Sequence, residues 1–293
     1  MSDYKKGLAC GLSAYILWGI LPVYWKLLEQ VLPFEILSSR FIWSCIFVAF
    51  LIIIQKKLPV FITEVKTVFS TFKTGAAMIA AGVVISINWG SFIWAVNNGH
   101  IVETSMGYYI NPLVSVLFGV IFLRERLNKM QLLAVLCACV GVGSMVWSFG
   151  KLPWVSLTLA ISFALYGLIK KVLPVSSLTS IMLETLIITP IALAYEYMLW
   201  QQGLSFYAGG NAQVLMLLAG AGVVTAIPLL LFTAGAKLLP LKIIGFLQYI
   251  SPTLTLLLGV FVYGEPFTAQ HLLAFGWIWG ALFLFVVSQL RSN

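Results

Sequence analysis

Charge is what this chain has least of. Its 293 residues include 17 Lys and Arg and 9 Asp and Glu, or 9% charged, where soluble domains carry about a quarter. So few charges cannot solvate a water-facing surface, and 61% apolar residues exclude disorder. The net charge of +8 does not make a nucleic-acid binder, because the cations sit in short gaps between apolar runs rather than on one face. Histidine is scarcer still: His100 and His271 stand alone in loops, with no metal-ligand spacing. The four cysteines, Cys10, Cys45, Cys137 and Cys139, lie inside apolar runs without the pairing of a disulfide framework or zinc site. No G-x-x-x-x-G-K-[ST] cradle is present, so the chain has no ATP motor of its own. Neither a Ser/His/Asp set nor a soluble domain able to hold one appears, and no metal or cofactor is expected. These absences argue against an enzyme.

What remains is hydrocarbon. A mean hydropathy of +1.03 over the whole length makes this an all-α polytopic membrane protein in a lipid bilayer. A crossing helix needs about 20 apolar residues, and ten runs qualify: roughly 7–26, 34–54, 75–96, 101–123, 130–148, 153–170, 178–200, 212–235, 241–263 and 269–289. Pro33, Pro59, Pro153, Pro174, Pro240 and Pro266 fall at or beside their boundaries. Asn128, followed by Gln131, and Thr268 have the character of helix N-caps. The turn Gly150-Lys151-Leu152-Pro153 alone separates spans 5 and 6. Lys5 and Lys6 precede the first run, which continues into the fold rather than forming a cleaved leader. With both termini in the cytoplasm, the inside segments hold 14 Lys and Arg and the outside loops only Lys26 and Lys151, as cytoplasmic loops require. Lys170 and Lys171 are counted inside; Arg40 is left within a span.

The chain also matches itself. At a shift of 140, Gly82-Val83-Val84 falls on Gly222-Val223-Val224 and Phe92 on Phe232. Tyr109-Ile110 falls on Tyr249-Ile250, Pro112 on Pro252, Gly119-Val120 on Gly259-Val260 and Glu125 on Glu265. Trp18-Gly19 meets Tyr166-Gly167 at a shift of 148. Two repeats follow, 1–148 with spans 1–5 and 149–293 with spans 6–10. Five spans each makes the copies inverted, the architecture of secondary transporters with a midplane site. An old duplication in a membrane scaffold or lipid-modifying enzyme is the competing account. An enzyme would need acid or histidine clusters at one leaflet.

Charges inside spans cost about 3 kcal/mol at the centre, so Arg40 in span 2 and Glu184 in span 7 are candidates for the substrate path or a gate; a structural ion pair or snorkelling is the alternative. Their depths differ by roughly 12 Å at 1.5 Å per residue, too far for a direct bridge without tilt. Pro112 and Pro252 are expected to break helices at depth, freeing the carbonyls of Tyr108 and Gln248. Tyr108, Tyr109, Asn111, Gln248 and Tyr249 gather there as pocket candidates, against a simple packing kink. Asn88, Trp89, Trp94 and Trp18 add a polar handle and aromatic walls. Trp25, Trp43, Trp154 and Trp200 have the placement of interface belts. Glu103 opens span 4, where the helix dipole favours a carboxylate; with Glu184 it is also a candidate coupling carboxylate. Glu125 and Glu265 are expected to fix the turns that follow spans 4 and 9. Gly276 and Gly280 form a small-xxx-small pair, leaving open a homodimer through span 5 or span 10.

These residues carry a resemblance. Leu17-Trp18-Gly19 through Pro22 to Tyr24-Trp25-Lys26, Glu35-Ile36-Leu37 with Arg40 and Trp43, Asn88-Trp89, and Phe92-Ile93-Trp94-Ala95-Val96-Asn97-Asn98 form specific strings. So do Gly107-Tyr108 through Ile110-Asn111-Pro112-Leu113, Tyr166-Gly167-Leu168, Glu184-Thr185, Gln248-Tyr249-Ile250 and Tyr263-Gly264-Glu265. Over essentially its whole length the chain resembles the RarD-type members of the EamA branch of the drug/metabolite transporter superfamily. The resemblance implies a ten-helix bacterial inner-membrane permease for a small metabolite or drug-like molecule, exporting it by alternating access. An uptake permease or uncoupled facilitator is the alternative. Spans 1–4 and 6–9 would surround a central cavity, with 5 and 10 outside.

Overall fold

The computed structural model describes residues 2–97, 101–150, 153–209, 211–262 and 269–292. Among them no strand occurs. In hydrocarbon each backbone N–H and C=O must be satisfied within its own segment, and the helix does this. The helices are α1 (Asp3–Lys26), α2 (Pro33–Ile54), α3 (Leu58–Phe69), α4 (Phe72–Asn97), α5 (Ile101–Leu123), α6 (Lys129–Phe149), α7 (Trp154–Val172), α8 (Ser177–Gln201), α9 (Ala212–Leu238), α10 (Leu241–Gln248), α11 (Ile250–Phe261) and α12 (Ala269–Ser292). A 3-10 turn, Phe206–Ala208, precedes α9.

Among the described residues eight stretches are long and apolar enough to cross a bilayer, within α1, α2, α4, α5, α7, α8, α9 and the joined α10–α11; the apolar parts of α6 and α12, Lys129–Ser144 and Gly276–Ser288, are shorter. Side chains such as Ile53, Ile191, Met216 and Phe283 are more than 60% exposed on the outer faces, where lipid replaces water as solvent. Helix starts carry the expected chemistry. The Asn128 side chain accepts from Gln131 N at 2.8 Å while Gln131 Oε1 accepts from Asn128 N at 3.1 Å, closing a capping box on α6. Ser176 and Asn211 cap α8 and α9 through Thr179 N and Val214 N.

Helices of the two halves interleave. The bundle packs α1 on α9 and α11, α2 on α8 and α9, α4 on α7 and α8, α5 on α7 and α10, and α6 on α12. The α2–α9 crossing is close enough that a Cβ on Gly222 would lie 2.3 Å from the Trp43 carbonyl carbon, and Ser44 Oγ donates to the Gly222 carbonyl at 2.9 Å. Only glycine fits there. At the aromatic centre, Trp18 and Tyr15 of α1 meet Phe163 and Tyr166 of α7 and Phe232 of α9, with Tyr166 and Phe232 stacked 5.9 Å apart.

Three expectations change. The gap between spans 2 and 3 holds an amphipathic helix, α3, whose Phe61, Val65 and Val68 pack with Met78, Leu173, Val175 and Leu183. α5 runs unbroken through Pro112, and the second-half break lies at Tyr249, between α10 and α11, with Pro252 in the first turn of α11. A proline in a first turn gives up an N–H that would have no helical partner anyway. Lys170, counted as a loop charge, is fully buried in α7. Within one chain and among the described residues, a Cβ added at Gly276 or Gly280 would meet nothing within 4 Å, so this small-residue pair is open on its face. His100, Lys151, Glu265, Pro266 and Thr268, with the His271 side chain, lie outside the described residues.

Candidate functional site

Arg40 stands two turns into α2. Its guanidinium lies 4.1 Å from the Trp89 ring centroid of α4 and 4.9 Å from that of Trp25 of α1, a double cation–π seat. Nε donates to Thr225 Oγ1 of α9 at 3.0 Å. Among the described residues the two Nη groups have no acceptor, and they are not fully buried in the fold. Tyr108 of α5 is within electrostatic reach of Arg40, 47% exposed, and 5.9 Å from the Phe92 ring. Phe41 backs Trp89 at 5.2 Å. Five helices thus bring together a cation without a carboxylate partner among the described residues and the aromatic rings beside it. Of the sequence candidates, Arg40, Trp89 and Tyr108 come together here; Trp25, expected at an interface, and Thr225 join them.

Glu184 belongs to a different place. Lys170 Nζ donates to its Oε1 as a buried ion pair and to Ser180 Oγ at 2.8 Å, and Tyr166 OH donates to Glu184 Oε2 at 3.0 Å. All four side chains are less than 5% exposed. Arg40 and Glu184 are therefore not partners, and the ion that neutralises Glu184 is Lys170. Desolvating a carboxylate is tolerable once cation and hydroxyls complete its shell. The sequence signal was two one-turn spacings, Tyr166 to Lys170 and Ser180 to Glu184, which align four polar groups on facing helix stripes.

The pocket candidates around the prolines tie α5 to the α10–α11 break. Tyr109 OH donates to the Pro252 carbonyl at 3.4 Å, and Gln248 Nε2 to Ser115 Oγ at 3.1 Å, which in turn donates to Asn111 Oδ1 at 3.1 Å. Tyr249, 1% exposed, buries a hydroxyl without a partner. Asn88 binds α4 to α7 through the Leu159 carbonyl and Ser162 Oγ, both at 2.9 Å. Trp18 sits in the aromatic centre, and Trp94 packs on Trp154 at 5.4 Å.

Glutamates of the first half reach across to helix starts of the second. Glu103 lies in the first turn of its own helix α5, as expected, and also accepts from Val155 N of α7 at 3.2 Å. Glu125 accepts from Leu241 N and Lys242 N at 2.6 and 2.8 Å, capping α10 rather than only turning its own chain. Glu35 accepts from Phe206 N and Ser205 Oγ. Glu64 of α3 accepts from Ser176 N and Oγ at the start of α8. Partial burial alone would raise the Glu64 carboxyl, but donation from Thr179 and Ser176 outweighs it and holds the group below its ordinary value of 4.5. Each pairing sets a negative charge on free N–H groups at a positive helix end. A cleft of about 170 Å³ opens beside the Glu64 tie, lined by Ile52, Lys57, Phe61 and Ser176, and an apolar groove of about 360 Å³ lies along Trp43, Phe47 and Val223. Neither is lined by Arg40 or Tyr108.

Comparison with known proteins agrees with this geometry. The model of the EamA-like transporter family matches residues 5–147. An uncharacterized transporter, YojE, of Bacillus subtilis (strain 168) is 45% identical over 99% of this chain and 96% of its own. Protein RarD of Salmonella typhi is 44% identical over 99% and 97%. A solved crystal structure at 17% identity covers 97% of this chain and 98% of its own with a TM-score of 0.74, which bears on the fold alone. Relatives so named and so close, on a bundle of membrane-length helices, place the chain in its family: it is a RarD-type member of the EamA-like transporters, a multi-pass membrane transporter.

Proposed function

We propose that this transporter is a secondary permease of the bacterial inner membrane, exporting a small metabolite or drug-like molecule by alternating access between two inverted five-helix halves. It has ten spans and both termini in the cytoplasm. The observation that carries the reading is the packing order. Number the long helices 1–10 along the chain, taking α10–α11 as one and leaving out α3. Exchanging each helix with the one five places on then turns every main contact into another main contact: α1·α9 into α7·α4, α1·α11 into α7·α5, α2·α9 into α8·α4. The contacts α2·α8, α5·α10 and α6·α12 map onto themselves. Gly82 and Gly222, matched by the internal repeat, face α8 and α2 respectively, the same relation inverted. Paired halves of this kind present one site to two sides.

The path runs past Arg40, Trp89 and Tyr108 to the Asn111–Gln248 crossing. Tyr108 is open while Gln248 is 6% exposed, as one end open and the other closed would require. Single cysteines test this in vesicles of known orientation. Cys at position 108 should react with aqueous thiol reagents from the outer side, and Cys at 248 only from the inner side, each protected by substrate. Reporter fusions after Gly210 should read outside and after Asn293 inside. Labelling of both cysteines from one side under all conditions, or chain ends on opposite faces, would overturn the reading. Flux in proteoliposomes under imposed gradients separates export from uptake and from uncoupled passage.

A further inference from the structure

The guanidinium of Arg40, packed among five helices, has an empty fork among the described residues. Lys170 has Glu184. Lys171 donates to the Ala236 and Leu239 carbonyls, and Lys237 to the Leu173 carbonyl, so each closes a helix end. Arg40 spends only Nε, on Thr225. Its guanidinium carbon lies 4.1 Å from the Trp89 ring centroid and 4.9 Å from that of Trp25, so two aromatic rings hold the head group in place before anything binds. Neither Nη group, together four N–H donors, has an acceptor or a carboxylate within ion-pair distance among the described residues, and neither is an unpartnered atom fully buried in the fold.

A cation inside a bilayer is costly, and a planar guanidinium fork left unfilled matches one partner above others: a planar oxyanion taking two parallel N–H bonds. The Trp89 ring lies beside it and Tyr108, which packs on Phe92, is within electrostatic reach; these rings suit an apolar or aromatic body. We propose that Arg40 is the anion-recognition residue of the transport site, and that the cargo is a small organic carboxylate with an apolar body. The identification of the site as the transport path rests on the permease reading; the binding chemistry does not.

Calorimetry on the purified full-length protein, with no gradient present, tests the binding directly. Benzoate is the probe, benzamide its uncharged counterpart and inorganic phosphate the anion without an apolar body. Benzoate should bind saturably; benzamide and phosphate should bind at least tenfold more weakly. Arg40→Lys keeps the charge and loses the fork, and should weaken benzoate at least tenfold. Arg40→Gln should abolish binding while the thermal transition and elution profile show a folded protein. Should Arg40→Gln not fold, the lysine variant alone decides. Absence of benzoate binding to the native protein, equal binding of benzamide, or undiminished binding by the lysine variant would each overturn the proposal. Phosphate binding as tight as benzoate would make the site one for inorganic anions and overturn the carboxylate assignment. Arg40-dependent binding without any flux in vesicles would fail the permease reading and leave the anion site standing; flux that ignores Arg40 would do the reverse.

Discussion

At the scale of single residues, the buried pair Lys170–Glu184 is the sharpest energetic statement the molecule makes. Removing one member strands the other in a site without water, a loss of about 3–5 kcal/mol. Lys170→Met and Glu184→Gln should each lower expression and the thermal transition in detergent, and the double substitution should recover most of both. If the double falls as far as the singles together, the two groups act independently and the pair has another meaning. Glu184 and Arg40 were both legible in the sequence, because a charge six residues into an apolar run announces itself. Their partners were not. Lys170 ends a run beside Lys171, and a lysine pair at a helix end reads as loop. Only the packing of α7 on its neighbours turns one of the two inward. Trp25 likewise lies near a helix end, where an interface belt is the ordinary reading, and becomes a wall for Arg40 through the tertiary approach of α1 to α2.

At the scale of elements, the helices follow from hydropathy and their ends from proline, serine and asparagine, while their joints do not. The close α2–α9 crossing depends on Gly222 having no Cβ. Gly222→Ala should cost about 1–3 kcal/mol through overpacking against backbone. Gly143→Ala, where nothing lies within 4 Å, should be neutral or stabilise by up to about 1 kcal/mol through helix propensity. Equal effects in thermal unfolding would remove the crossing from the account. The short helix α3 escaped the sequence reading because twelve residues with exposed lysine fall below the length of a span. Its tie to α8 through Glu64 is electrostatic and has a definite pH sense. The carboxyl is held below its ordinary value when folded, so the stabilisation is present above 4.5 and is lost as the pH falls through the lowered value. Hydrogen exchange over 58–69 should accelerate under acid conditions, and Glu64→Gln should show that faster exchange already at neutral pH. Unchanged exchange in both cases would mean that Phe61 and Val68 hold α3 without the carboxylate.

At the scale of the whole molecule, repeat, packing order and charge lead to one physical consequence. The shift of 140 was visible in the sequence because proline, glycine, tyrosine and glutamate align where apolar residues alone would match by chance. The crossing of the halves was not, since nothing in a linear repeat says that helix 1 seeks helix 8. Once the halves interleave, Arg40 faces the centre, and its open fork selects a negative cargo. A bacterial cytoplasm is negative inside, and moving one charge through 100 mV is worth about 2.3 kcal/mol, roughly a fifty-fold concentration ratio at tenfold per 1.4 kcal/mol. A carrier of organic anions therefore needs no ion gradient to export. Proteoliposomes loaded with a labelled carboxylate that competes with benzoate should release it faster when a potassium diffusion potential makes the lumen negative, and slower when the sign is reversed, without a pH gradient. Arg40→Gln should remove both rates. Release that responds to a pH gradient and ignores the potential would mean that the anion moves with a compensating proton; Glu184 and Glu103 would then be the carboxylates to neutralise first.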